Sequence, residues 1–92
     1  MTLTEEQLNE LKKYVTETYG QELVQYSAFI APEVQEAQRG PIALIQIAGL
    51  GELEYVGQWP NGWGWLNYQY ELEFYYTHLK EIKHDWQKVA SP

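Results

Sequence analysis

Apolar and polar positions alternate along this chain with two different periods, and the period changes where turn residues intervene. Leu8, Leu11, Val15 and Tyr19 recur at helical spacing and fall on one face. Thr4 and Gln7 form a capping box ahead of them, with Leu3 and Leu8 as the matching hydrophobic staple. Glu5 and Glu6 occupy the first turn, where the helix dipole favours negative charge. Gly20 is placed for the left-handed position that ends many helices. These signals predict a helix over Thr4 to Tyr19.

Residues 23–30 read as a strand, with Val24, Tyr26, Ala28 and Ile30 on one face; Pro32 would stop a helix there. Residues 31–41 form a polar connection. Ile42 to Ala48 is a short apolar run closed by Gly49-Leu50-Gly51, which predicts a strand buried on both faces and central in its sheet.

The next segment carries a hairpin signal. Pro60-Asn61-Gly62-Trp63 puts Asn-Gly at the two central positions of a tight turn, where positive φ is tolerated. That turn sets a register in which Pro60 faces Trp63, Trp59 faces Gly64, Gly57 faces Leu66, Tyr55 faces Tyr68 and Leu53 faces Tyr70. The intervening pairs are Glu52–Glu71, Glu54–Gln69, Val56–Asn67 and Gln58–Trp65. Two faces follow: a core face led by Leu53, Tyr55, Leu66, Tyr68 and Tyr70, and an acidic face edged by Trp63 and Trp65. The alternation runs on through Leu72, Phe74 and Tyr76. Leu79, Ile82, Trp86 and Val89 then return to helical spacing behind a Thr77 cap, with Lys83 and Lys88 toward the C-terminal end. The expected fold is a single α+β domain over residues 1–92: a four-stranded antiparallel sheet flanked by N- and C-terminal helices, in the order α-β-β-β-β-α.

Charge narrows the range of partners. Six basic and thirteen acidic side chains give a net charge of −7. No Lys or Arg lies between Arg39 and Lys80, a stretch that holds Glu52, Glu54, Glu71 and Glu73. Such a surface repels phosphate backbones and anionic lipid, so direct binding to nucleic acid or a membrane is not expected, and a basic partner is favoured. The chain has no cysteine, which excludes disulfides and thiolate chemistry. Its start lacks the features of a signal peptide, and its apolar runs are too short to span a bilayer, so a cytoplasmic protein is expected.

Candidate chemistry is sparse. Ser27 and Ser91 lie in no nucleophile-elbow context, and Gly49-Leu50-Gly51 opens a strand rather than a phosphate-cradling helix. His78, Glu81 and Asp85 share a face of the predicted last helix and make a candidate divalent-metal set, though this pattern also describes an ordinary solvated face. Glu52, Glu54, Glu71 and Glu73 are crowded enough to repel, but an open sheet face is too wet to raise their pKa values far. No catalytic residue and no cofactor are expected. Nine of the fourteen aromatic residues lie between Tyr55 and Tyr76, and Trp63, Trp65 and Tyr75 fall off the predicted core face. Exposed tryptophan marks contact surfaces.

The run Tyr55-Val-Gly-Gln-Trp-Pro-Asn-Gly resembles the Tyr-x-Gly-x-Trp-x-Asn-Gly core of a MORN repeat. It occurs once, whereas MORN units work as arrays, so the resemblance implies hairpin chemistry and no function. The composite reading is a non-enzymatic protein-binding module: a small adaptor, assembly chaperone or inhibitor. It would use Trp63, Trp65, Tyr75, Glu52, Glu54, Glu71 and Glu73 against a basic or apolar protein surface, with homodimerisation through the same sheet as a further expectation. Two alternatives stand beside it. One is an acidic immunity, antitoxin or anti-defence protein that blocks a basic nucleic-acid-binding site. The other is a small metal-binding protein using His78, Glu81 and Asp85.

Overall fold

The computed structural model describes residues 1–30, 40–66 and 83–89. Helix α1 spans Glu5–Tyr19 and is built as its caps dictate. Thr4 Oγ1 accepts from the Gln7 N–H at 3.1 Å, and Gln7 Oε1 accepts from the Thr4 N–H at 3.0 Å. Gly20 ends the helix at φ 70°, and its N–H donates to the Thr16 carbonyl. That left-handed geometry suits a residue without Cβ.

Among the described residues five strands follow: β1 (Leu23–Phe29), β2 (Ile42–Ile47), β3 (Glu54–Trp59), β4 (Gly62–Trp65) and β5 (Gln87–Lys88). They form one antiparallel sheet in the order β4-β3-β2-β1-β5. The α+β class therefore holds, with one N-terminal helix and an open five-stranded sheet. As its short apolar run predicts, β2 is central and buried on both faces. Among the described residues, no helix is long and apolar enough to cross a membrane.

One face of the sheet receives α1. Leu11 and Val15, both fully buried, pack with Leu3 onto a platform of Tyr26, Ala28, Ala43, Ile45, Ile47, Val56 and Trp63. Burying each of the two helix side chains contributes about 1.5–3 kcal/mol. The Tyr26 hydroxyl accepts from the Leu3 N–H at 3.0 Å, which ties the start of the helix to β1. The opposite face buries Phe29, Ile42, Leu44 and Leu66. Residues 83–86 lie against that face: the His84 ring stands 6.2 Å from Phe29, and the Asp85 N–H donates to Ser27 Oγ at 3.1 Å.

Four expectations need correction. First, β1 does not alternate cleanly. The ladder with β2 shifts between Leu23 and Gln25, so Leu23, Tyr26 and Ala28 face the helix while Val24 and Ile30 are exposed. An extra residue in a strand moves everything beyond it to the other face, and simple period-two reading misses that.

Second, the hairpin turn sits elsewhere. Trp59 pairs with Gly62 and Gln58 with Trp63, leaving Pro60 and Asn61 at the centre. Proline has no N–H to give a ladder, and its fixed φ suits the first central position of a turn. With Asn-Gly at the centre, Pro60 would have become a strand residue. The register thus slides by two residues, which preserves the composition of each face.

Third, among the described residues of the hairpin, α1 covers the face not expected to lead the core, while Tyr68 and Tyr70 lie outside the described residues. Val56 and Trp63 lie beneath the helix, whereas Leu53 is exposed and Tyr55 half-buried; Leu66 is buried, but on the face away from α1.

Fourth, the predicted C-terminal helix does not run through residues 83–89. Residues 83–86 are not helical, and Gln87 and Lys88 pair with Tyr26 and Gln25 of β1. The Val89 N–H donates to the Val24 carbonyl at 2.9 Å. Without this segment the outer edge of β1 would present unpaired backbone groups there, and satisfying them outweighs a helical spacing of apolar side chains. Val89 still packs against the core, from a strand edge rather than a helix face. Residues 31–39 of the predicted connection over 31–41, the strand continuation through Tyr76 and the start of the last helix lie outside the described residues.

Candidate functional site

The hairpin turn and the outer flank of α1 enclose an open cleft of about 480 Å³. Glu10, Lys13, Tyr14 and Glu17 line it from the helix, and residues 58–63 line it from the hairpin. Their positions follow from the helical repeat. Leu11 and Val15 point into the core, so residues 10, 14 and 17 form the neighbouring stripe along the rim. Trp63 closes the floor. Its indole is buried, and its Nε1–H donates to the Gln7 carbonyl at 3.2 Å. Gln7 Nε2 in turn donates to Gln58 Oε1 at 2.9 Å. These two bonds fix the helix against the hairpin, so the cleft has a set width.

The charges on the rim are loosely held. Lys13 Nζ lies 4.0 Å from Glu17 Oε1, and both side chains are largely exposed. An exposed pair of this kind stabilises by well under about 1 kcal/mol. The hairpin wall is shaped by glycine. Gly57 pairs directly with Gly64, and a Cβ at Gly64 would stand 3.1 Å from the Trp59 indole. A Cβ at Gly57 would stand 2.9 Å from Leu66 Cδ2. The missing side chains let Trp59 and Leu66 close over the back of the hairpin.

The predicted contact residues separate. Trp65 lies on the same strand face as Trp63 but beyond the helix, and it is 56% exposed. Trp63 is 8% exposed and belongs to the core, so it offers the cleft only the part of its ring that α1 leaves uncovered. Glu52 is exposed in the turn before β3. Glu54 is half-buried on the helix side of β3, near Tyr19. Burial pushes the Tyr19 phenol up to about 12, with Tyr14 and Glu54 adding to the rise. Glu71, Glu73 and Tyr75 lie outside the described residues, as do His78 and Glu81. Asp85 is exposed, and no group of three or more potential metal ligands occurs among the described residues.

Sequence reasoning missed Glu10, Tyr14 and Glu17. The available signal was Tyr14, an aromatic residue on the helix flank beside Leu11 and Val15, set one turn from two carboxylates. Comparison with protein-family models, with curated proteins and with solved structures returns no match for this chain. The hairpin's resemblance to a MORN unit therefore finds no support among family models.

Proposed function

We propose that this chain is a non-catalytic protein-binding module whose contact surface joins Trp65 to the cleft between α1 and the hairpin turn. The observation that supports this reading most is Trp65 itself: a large indole held in the open on a regular strand, beside a rigid aromatic floor. Tryptophan in such a setting is the residue type most often responsible for binding energy at protein interfaces. The partner would present a basic or apolar surface, in keeping with a net charge of −7 and with Glu10, Glu17 and Glu52 exposed on this molecule. Adaptor, assembly chaperone and inhibitor are the roles such a module fills. The cytoplasm is the compartment we propose for it, in keeping with a cysteine-free chain.

The test is site-specific crosslinking. A photo-reactive phenylalanine analogue replaces Trp65 in one sample and the equally open Leu50, in the turn after β2, in another. The expected result is one discrete protein adduct from position 65 and none from position 50. Equal capture at both positions, or none at either, would overturn the proposal.

A further inference from the structure

We infer that the cleft between α1 and the hairpin turn receives an arginine side chain from a basic, extended segment of a protein partner, and that Lys13 occupies the charge of that site until the partner arrives. The inference rests on the cleft being part of the contact surface proposed above, and it names the group recognised there. Three features carry it.

The cleft combines carboxylates with aromatic rings. Glu10 and Glu17 stand two helical turns apart, roughly 10 Å, on one side, with Tyr14 between them and the half-buried Trp59 on the hairpin wall. A planar guanidinium stacks on either ring while its N–H groups reach the nearer of the two carboxylates. The volume of about 480 Å³ is ample for one long side chain and too large for Lys13 to fill. The cleft is also fixed in width by the bonds from Trp63 to Gln7 and from Gln7 to Gln58, so little ordering remains to be done on binding.

Lys13 gives the inference its sign. Its Nζ is 4.0 Å from Glu17, at the long limit of an ion pair, with both side chains open to water. An ammonium on a flexible stem is easily displaced by a guanidinium that also stacks. Lys13 therefore competes with the incoming arginine instead of assisting it. Losing Lys13 removes a like charge and would strengthen any cation at an acidic patch, so the preference for arginine over lysine marks the stacked site, while a mixed-charge surface predicts that losing Lys13 weakens binding. Here its loss strengthens binding.

The experiment titrates the full chain with three synthetic nonapeptides in which arginine, lysine or glutamate alternates with glycine, following intrinsic tryptophan fluorescence at two salt concentrations. The arginine peptide is expected to bind tighter than the lysine peptide, and the glutamate peptide not at all. Glu10→Gln with Glu17→Gln should weaken the arginine peptide about five- to tenfold. Lys13→Gln should strengthen it about two- to threefold. All three positions needed for these comparisons are exposed on the helix surface, and thermal melts of the variants confirm that folding is intact. Equal binding of the arginine and lysine peptides, indifference to the two glutamate substitutions, weaker binding by Lys13→Gln, or no arginine-peptide binding at all would each overturn the inference. Crosslinking at position 65 reads the broader proposal separately. Adducts there together with a silent arginine peptide would sink the arginine site alone.

Discussion

Trp63 and Trp65 stand two residues apart on one face of one strand, yet they have opposite surroundings. Trp63 lies under α1, with its indole N–H bonded to the helix backbone. Trp65 lies past the edge of the helix and faces solvent. Little in the strand itself distinguishes them: both alternate correctly, and Gly64 stands between them. The difference is the footprint of another element. Alternation decides which face a side chain occupies, and the length and angle of the covering helix decide whether that face is dry.

Removing each indole tests this contrast most directly. Trp63→Ala should cost about 3–5 kcal/mol, because it empties a core position and removes the indole bond to the Gln7 carbonyl. Trp65→Ala should change stability by no more than about 0.5 kcal/mol. Chemical denaturation with a constant slope would measure both, and similar losses at the two positions would abolish the distinction. A smaller effect should appear on the back of the hairpin. Gly57→Ala drives a methyl into Leu66 and should cost about 1–3 kcal/mol. Removing the capping box by Thr4→Ala should cost about 1 kcal/mol, seen as a lower thermal midpoint.

The smallest effect is confined to strong alkali. The folded Tyr19 phenol holds its proton to about 12, above its ordinary value of 10.0. A phenol with a raised pKa favours the folded state while it is protonated. That contribution is complete below about pH 10 and is lost as the pH rises toward 12. Tyr19→Phe should flatten the fall in stability across this range, and tyrosinate absorbance should show one group titrating late. An unchanged alkaline profile would remove Tyr19 from the account.

The parts of the fold that were legible in the sequence are those settled by neighbours along the chain. Thr4, Gln7 and Gly20 act on backbone groups within a turn of themselves, and α1 begins and ends where they place it. The apolar run of β2 needed burial on both faces and found it at the centre of the sheet. The hairpin was half legible. Its alternation sorted residues into faces correctly, but Pro60 overrode the Asn-Gly signal, and the covering helix selected the face with fewer apolar residues. The last segment was not legible. Trp86 and Val89 fit a helix by spacing, while the deciding partner, the open edge of β1, lies far away in sequence. Of the candidate site, Trp65 is exposed as expected, but not because its face lies off the core: that face is the one α1 covers, and Trp65 stays open on it. Glu10, Tyr14 and Glu17 read as an ordinary solvated flank, because only the folded hairpin gives that flank an opposing wall.

The pairing of β5 with β1 has a consequence in time. Strands β1 to β4 follow one another in the sheet in chain order, so each can dock on its predecessor as soon as it is made. The partner of Gln25 and Tyr26 on the other side, Gln87–Lys88, is synthesised long after. In that interval a growing or refolding chain holds a nearly complete sheet whose β1 edge is open to any strand, including one from a second copy. Swapped dimers and early aggregates should therefore form through β1, and pulse-labelled amides of β1 and β2 should gain protection before that of Val89. The late strand seals the border along which young molecules would otherwise join.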